Sequence, residues 1–500
     1  MTSDPARKAS KAGLRSVLIF AAGEMGSRAI SFLLLPLYTR QLTPVDYGTL
    51  QLIVLVFEVV GLFGITRVTS GLFRYYALQV DERSRNSYVA SAFLIVSASH
   101  LLIALFVYYF ADALSVAFLA GRQQSELLHL GAAMFAVQGL TAIPAAYQRL
   151  LGRPLAYVRQ VLALQFLQAG LNVVFVVGYG YGVRGVLLSG ILSYLIVGGV
   201  VSTSMVLRLR QLPSTQAIRT LVKFTLPLTF GSVALLVVMM GGRYALKQSS
   251  SIAEVGLYAL AVTFGGVSFQ LGASPFLQFW EPARFRIAKQ ENRDVVFAQD
   301  FIRFNVVLLI VATTIGVFVR DYLSLAASPA YATVGHLVPI TLLAYLFQGW
   351  TSVLDTGALL AGRTAQIAVG NWISAVFALL GFWLLIPRWG AAGAATTLLI
   401  SFAVRCAYIA VASQLAFKIA WKWRPILLLV GMSSVIVLAA YSVPEKHVVV
   451  SLAAHSLFLF VFMVLATSSR IIGTDDAERL RQILRSVIQT PTALVKRFSA

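Results

Sequence analysis

Charged side chains stand inside long apolar runs of this sequence, and they are the residues best placed to do chemistry. Glu24 and Arg28 lie four residues apart in the run 14–38, so they share one face if that run is helical. Glu58 lies in the next run, and Arg243 and Lys247 stand four apart near the end of a later one. If the runs cross a membrane, each charge is costly unless paired or hydrated. These residues are therefore candidates for lining a cavity that binds ions or a charged ligand.

A purely structural interpretation exists for each of them. Glu24 and Arg28 could form a neutral pair that locks the first helix to a neighbour. Arg243 and Lys247 could extend their charged ends to the membrane surface. The sequence favours cavity lining for the first pair and leaves the second open. The same choice applies to two charged residues in later apolar runs, Asp355 and Arg405.

The composition requires a membrane protein. The chain has 500 residues, of which 58% are hydrophobic and only 12% are charged, with a mean hydropathy of +0.81. A soluble domain carries about twice that fraction of charge. The apolar runs are about 20 residues long and do not alternate, which favours transmembrane helices over barrel strands.

Several functional classes are excluded. The single cysteine, Cys406, rules out an internal disulfide or cysteine metal cluster, and the five histidines lack metal-ligand spacing. A G-x-G-x-x-G pattern at 180–185 is a tight outside turn and not a nucleotide site, since no acid occurs between Glu126 and Glu254. We therefore expect no metal and no cofactor. The net charge of +21 fits basic cytoplasmic loops better than nucleic-acid binding.

Apolar runs of sufficient length predict an all-α polytopic protein with about fourteen transmembrane helices. With a cytoplasmic amino terminus, the inside segments hold roughly 30 Lys and Arg and the outside turns 8, so both termini are predicted to be cytoplasmic. The predicted spans are 14–38, 47–66, 88–110, 127–149, 155–177, 184–207, 224–246, 255–277, 301–319, 335–360, 365–386, 391–413, 425–443 and 447–467.

The chain repeats itself at an offset of roughly 208 to 210 residues. Six spans per repeat is an even number, so the two repeats share one orientation, as in known transporters. We predict an N-lobe at 1–210, a C-lobe at 211–420, and two extra helices with an amphipathic cytoplasmic tail at 421–500. The matching pieces are 43–50 with 251–258, 72–75 with 282–285, 152–154 with 362–364, and 182–185 with 390–393.

The segment 276–285, predicted to be a cytoplasmic loop, mixes aromatic and basic residues. Interfacial anchoring by aromatic rings explains most of this composition. A gate that contacts an anionic headgroup would also explain the arginine. Its residues would be Trp280 and Arg284, with Arg74, which matches Arg284 in the repeat.

Two stretches around the first turn resemble a known family. Leu-Pro-Leu-Tyr-Thr-Arg at 35–40 and Leu-Thr-Pro-Val-Asp-Tyr-Gly at 42–48 resemble the start of bacterial polysaccharide flippases. Trp-Glu-Pro-Ala-Arg-Phe at 280–285 is similar to a short signature after helix 8 of that family. The resemblance covers roughly residues 10–420 by architecture. The family shares a superfamily with multidrug exporters of the MATE type and lipid II flippases.

The resemblance implies two six-helix lobes around a central cavity lined by helices 1, 2, 7 and 8, with a lipid-facing groove at helices 13 and 14. The implied cargo is an undecaprenyl-diphosphate-linked oligosaccharide, moved by alternating access across the bacterial inner membrane for surface polysaccharide synthesis. Arg28 and Arg243 would bind the diphosphate or acidic sugars, with Lys247 beside them. Glu24 and Glu58 would be counter-charges or carriers of a coupled proton or sodium ion. Further implied partners are membrane lipids and polysaccharide polymerase or export proteins.

Three other functions remain open. A cation-coupled multidrug exporter could use the same scaffold, with Glu24 or Glu58 as the ion site. A membrane glycosyl transferase or polymerase is disfavoured because the outside turns are too short for a catalytic domain. A scaffold that recruits enzymes through residues 468–500 would not transport anything. We therefore predict a transporter and not an enzyme.

Overall fold

The computed structural model describes residues 34–62, 68–230, 233–443 and 448–466, together with Gly23, Gly26, Ser27 and Ile30. All regular elements in these ranges are helical, so the predicted all-α class is confirmed. Most of the first predicted span, 14–38, and the tail with its predicted amphipathic helix lie outside the described residues.

Nineteen α-helices occur in the described ranges. They are α1 (Leu35–Gln41), α2 (Pro44–Gly61), α3 (Thr69–Leu78), α4 (Glu82–Tyr109), α5 (Ala111–Phe118), α6 (Ser125–Leu150), α7 (Pro154–Asn172), α8 (Gly182–Leu209), α9 (Thr215–Phe230), α10 (Val233–Ser249), α11 (Ile252–Gly272), α12 (Ser274–Ile287), α13 (Arg293–Ala326), α14 (Val334–Leu354), α15 (Thr356–Leu360), α16 (Thr364–Leu384), α17 (Ile386–Ala416), α18 (Trp423–Tyr441) and α19 (Val448–Ala466).

Eleven helical segments in the described part of the chain are long and apolar enough to cross a membrane, and a shorter apolar helix covers Val450–Ala466. The 28-residue helices α4 and α8 are each about 42 Å long at 1.5 Å per residue, more than the hydrocarbon thickness of a bilayer. The seventh predicted span, 224–246, is divided between α9 and α10 because residues 231–232 are not described. The total of fourteen spans therefore stays a prediction.

Helix starts follow from local side-chain chemistry, and they repeat. At the start of α2, the Thr43 hydroxyl accepts the Asp46 N–H at 3.1 Å while the Asp46 carboxylate accepts the Thr43 N–H at 3.0 Å, which forms a capping box. At the start of α11, the Ser251 hydroxyl accepts the Glu254 N–H at 3.2 Å. The offset is the one that the sequence repeat predicts.

Helix ends repeat as well, through glycines in the left-handed region. Gly152 and Gly362, which precede α7 and α16, have φ of +63° and +70°. Gly182 and Gly390, at the predicted outside turns, both have φ of +51°. Only glycine adopts this conformation without a steric penalty. The two halves of the chain thus share turn geometry as well as sequence pattern. The turn predicted at 180–185 is shorter in the structure, because α8 already begins at Gly182.

The chain divides into two compact units. The first comprises Met1–Ala259, Ala326–Tyr331 and Ala378–Thr397. Its helices α4, α6 and α8 pack against one another. A core of buried apolar side chains includes Val89, Ile143 and Met205 from these helices, and Leu72 from α3.

The second unit comprises Leu260–Leu325, Ala332–Phe377 and Leu398–Ala500. Its core is aromatic, with Trp280, Phe297, Phe301, Phe304 and Trp350 all buried. The rings of Phe301 and Trp350 lie edge to face at 6.3 Å. Such pairs stabilise the unit beyond the burial of their area. The boundaries predicted for the lobes, 1–210 and 211–420, stay a prediction.

The prediction of a loop at 276–285 is wrong. These residues belong to α12, and Pro282 lies inside the helix. The preceding Pro275 occupies the first turn, where a missing N–H costs nothing. Leu277, Trp280, Arg284 and Ile287 recur at helical spacing and are all buried. These four side chains pack against other helices of the second unit, which explains why the segment is helical despite its interior proline.

Candidate functional site

The first predicted pair, Glu24 and Arg28, lies outside the described residues, so its partners stay a prediction. Glu58 lies near the end of α2 and is exposed. It forms no hydrogen bond or ion pair with a described residue. Three residues before the end of α2, an exposed acid is tolerable where it meets water, either at the membrane surface or in a wet cavity.

Arg243 is a buried cation in the described part of the first unit. It lies on α10, which packs against α2, and its residue is only 6% exposed. One terminal nitrogen donates to the Met239 carbonyl at 2.8 Å and contacts the Met240 sulfur at 3.0 Å, while Nε has no partner. No carboxylate of the described chain pairs with it. A cation that is taken out of water and left without an anion is expensive unless a ligand supplies one.

Lys247 lies one turn after Arg243 on the same helix and is engaged differently. Its ammonium group donates to the carbonyl oxygens of Val116 and Ala117 at 3.3 and 3.0 Å. These carbonyls belong to the last turn of α5, where the negative end of the helix dipole favours a cation. Lys247 therefore links α10 to the end of α5. Its role differs from that of Arg243, whose hydrogen bonds with described residues stay within its own helix.

Close helix contact in the first unit occurs where the repeats match. Gly48 on α2 and Gly256 on α11 face each other: a Cβ on Gly48 would lie 3.0 Å from the Gly256 nitrogen and 2.1 Å from the Ile252 oxygen. A Cβ on Gly256 would lie 2.0 Å from the Pro44 oxygen. Neither position has room for a side chain. The two glycines, related by the sequence repeat, thus set the distance between the two helices.

Hydrogen bonds extend this contact within the first unit. Ser328 N–H donates to the Thr39 carbonyl at 3.0 Å, and the Tyr331 hydroxyl donates to the Leu42 carbonyl at 3.1 Å. The Ala391 N–H donates to the Glu254 carboxylate at 2.6 Å. We call these contacts, with the Gly48–Gly256 crossing, the seam. It joins turns that the charge pattern predicts to be outside the membrane.

The second unit contains a buried polar network. Arg284 on α12 donates to the Asp355 carboxylate at 2.9 Å, and both side chains are less than a fifth exposed. Arg405 on α17 also acts electrostatically on Asp355 and donates to the Gln348 side chain at 2.7 Å. The Nε atoms of both arginines lack partners in the described chain. The two buried arginines thus face one buried carboxylate, and the exposed acid Glu281 also lies near that carboxylate.

Gln348 is the member of this network that the sequence reasoning missed. It lies seven residues before Asp355, and therefore on the same face of α14. That spacing is a signal the sequence contained. Glutamine is uncharged and common, however, and only its contact with Arg405 distinguishes it.

The other two residues of the predicted headgroup contact differ from Arg284. Trp280 is fully buried and stacks on Phe276, with ring centroids 5.6 Å apart. A headgroup could reach its indole only if the cluster opened. Arg74 is exposed on α3, with its guanidinium 5.1 Å from the Phe224 ring centroid, and has no ion pair with a described residue. The matching arginines of the repeat therefore have unlike surroundings.

An apolar groove of about 340 Å³ opens in the second unit between α13, α14 and α18. Pro339, Leu342, Leu346 and Val437 line it, with His336 and Tyr441 at one end. Its lining suits hydrocarbon and not a glycan. None of the cationic residues described above lines it. Among the residues that the structure describes, no cluster of His, Cys, Asp and Glu is arranged to hold a metal ion.

The fold defines a polytopic helical membrane protein built like known transporters. A structure of the lipid II flippase MurJ in an inward closed conformation has a TM-score of 0.69 and 13% identity, and the alignment covers 90% of this chain and 98% of that one. An inward-facing multidrug resistance MATE family transporter of the MOP superfamily has a TM-score of 0.57 at 13% identity, with 80% and 93% covered. A Vibrio cholerae MATE transporter gives 0.52 at 14% identity, with 80% and 93% covered.

Sequence comparison identifies the family. A profile of polysaccharide biosynthesis proteins matches residues 14–283, which is more than half of the chain. The chain belongs to this family. A search of curated proteins finds no match. The resemblance noted from the sequence is thus confirmed: the matched region contains 35–48 and 280–283 and ends just before Arg284.

Proposed function

We propose that this protein is a flippase for undecaprenyl-diphosphate-linked oligosaccharides, working in the bacterial cytoplasmic membrane with both termini in the cytoplasm. It would supply repeat units for a surface polysaccharide such as lipopolysaccharide or exopolysaccharide. Membership of the polysaccharide biosynthesis family and the likeness to a lipid II flippase support this reading. Both point to a sugar-bearing lipid as cargo.

The observation that carries the proposal is the buried guanidinium of Arg243. A diphosphate that leaves water needs cations that replace its hydration, and arginine can bind phosphate oxygens with two parallel N–H bonds. Arg243 has donors to spare, since Nε is unpartnered and no described carboxylate neutralises the charge. An organic cation would be repelled from the same place. The electrostatics at Arg243 thus favour an anionic cargo.

The remaining predicted residues take supporting roles in this proposal. Arg28 would be a second cation for the diphosphate or for acidic sugars. Glu24 and Glu58 would balance the charge of the empty cavity or carry a coupled proton or sodium ion. The network around Arg284 would meet the cargo on the cytoplasmic side, where the lipid-linked sugar is made. Polysaccharide polymerase or export proteins would be further partners.

A cation-coupled multidrug exporter is the second candidate. The likeness to MATE transporters, which covers 80% of this chain, favours it. It requires a cavity whose net charge attracts cations. The two hypotheses therefore predict opposite effects of removing positive charge from α10.

Flipping of a fluorescent undecaprenyl-diphosphate oligosaccharide by the purified full-length protein in liposomes tests the proposal. We expect transport by the wild type, at least a tenfold loss in Arg243→Ala, and partial activity in Arg243→Lys, which keeps the charge but loses bidentate geometry. Arg184→Ala is the matched control, because Arg184 forms an exposed ion pair with Glu126. Transport of organic cations instead, with equal or higher activity in Arg243→Ala, would replace the flippase by the exporter.

A further inference from the structure

A buried cluster in the second unit takes no part in the proposed cargo site. Asp321 lies near the end of α13, and Ser451 and His455 lie one turn apart on α19. Their residues are 5%, 1% and 3% exposed. Burying titratable groups away from water in a membrane protein costs free energy, so their burial must be compensated by specific contacts.

Hydrogen bonds account for every polar atom of the aspartate and the imidazole. The Ser451 hydroxyl donates to one carboxylate oxygen of Asp321. The other oxygen lies 2.5 Å from Nδ1 of His455, and the Ser451 hydroxyl oxygen lies 3.4 Å from the same nitrogen. Nε2 of His455 lies 3.2 Å from the Ala440 carbonyl oxygen on α18. Three helices therefore meet at this one imidazole.

The acceptor at Nε2 determines the proton count. A carbonyl oxygen can only accept, so Nε2 must carry a hydrogen to bond with Ala440. In a neutral histidine Nδ1 is then bare, and a bare nitrogen cannot bond to an ionised carboxylate. The contact between Nδ1 and Asp321 thus requires one further proton, either on the imidazole or on the carboxyl group. An ordinary aspartate–histidine pair, in which Nε2 is bare, does not need it.

We propose that Asp321 and His455 form a buried proton-binding site that joins α13, α18 and α19. With its proton the pair is neutral overall, which suits an enclosed position. Without it the pair carries one negative charge, and either the Asp321 contact or the Ala440 contact is lost. Release of the proton must therefore loosen α19 or admit water.

Other titratable groups nearby are directed elsewhere. Arg320 donates to the Tyr441 carbonyl at 3.0 Å and lies over the Tyr441 ring. The His336 ring lies 6.0 Å from the Tyr441 ring, and Tyr322 on α13 packs against Phe264. Of the described side chains, none forms a further ion pair with Asp321 or His455. The apolar edge of Phe318 closes the cluster, at 6.0 Å from the His455 ring.

Nitrogen NMR of the full-length protein, labelled with ¹⁵N in its histidine rings, tests the site directly. At pH 7 we expect one histidine whose Nε2 is protonated and whose Nδ1 is protonated or a strong acceptor, and this signal should vanish in His455→Gln. A His455 signal with Nε2 bare at pH 7 would overturn the proposal. The measurement needs no transport, so its outcome is independent of the flippase hypothesis.

Thermal unfolding of the purified protein between pH 6 and 9 provides the second test. Above about pH 6.5 an unfolded chain has an ionised aspartate and a mostly neutral histidine, so the folded state binds one proton more. Stability must then fall as pH rises, and we expect the wild-type Tm to drop by about 2 °C or more.

Asp321→Asn isolates the proton from the hydrogen bonds. Its amide oxygen can accept from Ser451 and its NH₂ can donate to a bare Nδ1, so the site is complete without the extra proton. This variant should fold and lose the drop in Tm between pH 6 and 9. His336→Gln, which changes an exposed histidine beside Tyr441, should keep the wild-type drop. An unchanged pH dependence in Asp321→Asn contradicts the proposal. If that variant does not fold, the NMR result on the wild type decides.

Discussion

Arg243 and Arg284 are both buried arginines, and they differ in what faces the guanidinium. Arg284 bonds to Asp355, whereas Arg243 bonds only to a carbonyl and a sulfur of its own helix. The sequence drew attention to Arg243 because it lies in an apolar run, and to Arg284 because it lies in a predicted loop of aromatic and basic residues. Only packing shows that one is largely neutralised and the other is not, because the partner of Arg284 lies 71 residues away in the chain.

The Arg284–Asp355 pair predicts a non-additive loss of stability. Arg284→Leu leaves a buried carboxylate without its closest partner and should destabilise the protein by about 2–4 kcal/mol. Arg284→Leu with Asp355→Leu should recover only part of that loss, because the apolar pair needs no counter-charge but Arg405 loses the carboxylate that it faces. Thermal unfolding of the two variants in detergent checks this.

The repeat supplies the control for that experiment. Arg74 matches Arg284 in sequence, but it is exposed and lies over aromatic rings. Arg74→Leu should change stability by less than about 1 kcal/mol. Equal losses from Arg74→Leu and Arg284→Leu would show that the ion pair contributes nothing particular.

Helix α12 forms where the amino-acid composition favoured a loop. Two prolines and a mixture of aromatic and basic residues favour a loop, but one proline occupies the first turn and the buried residues recur at helical spacing. The periodicity was present in the sequence. What outweighed the interior Pro282 was burial of Trp280 and its neighbours, which depends on helices far away in the chain.

The crossing of α2 and α11 predicts a steric effect at the element scale. Gly48→Ala or Gly256→Ala would put a methyl group within 2.1 Å of a backbone oxygen, so the helices must separate. We expect a loss of about 1–3 kcal/mol, larger than the gain in helix propensity. Thermal unfolding and cysteine accessibility near Thr39 would report it.

Gly61→Ala on the same helix is the matched control. No atom lies within 4 Å of a Cβ built at Gly61, so this change should be neutral or slightly stabilising. If Gly48→Ala changes the stability no more than Gly61→Ala does, α2 and α11 can move apart at little cost. The match of Gly48 with Gly256 would then have no structural consequence.

At the scale of the whole molecule, the proposed transport by alternating access would require the seam to open. The Ser328 N–H bonds to the Thr39 carbonyl at 3.0 Å, so the two backbones are in contact and the pair is a candidate for cross-linking. In a Cys406→Ser background, the double variant Thr39→Cys with Ser328→Cys should form a disulfide on oxidation. The rate of flipping should then fall at least tenfold. Reduction should restore it.

Two outcomes would contradict this picture of the seam. Full transport by the cross-linked protein would mean that the seam stays closed throughout the cycle. Loss of transport in the reduced double variant would show that the side chains, and not the cross-link, are responsible. Each single cysteine variant under oxidising conditions serves as the control.

The sequence by itself determined the all-α membrane class, the repeat, the helix caps and the turn glycines. These features depend on composition and on neighbours within a few residues. The length of an apolar run can be read from the sequence without knowing what the run packs against. Family membership rests on sequence as well. Tertiary structure alone decided which partner each buried ionisable side chain contacts. Arg284 contacts Asp355, Arg405 contacts Gln348, and His455 contacts Asp321 and Ala440. The physical reason is that a buried charge is governed by the atoms that replace its water, and those atoms come from helices distant in the chain.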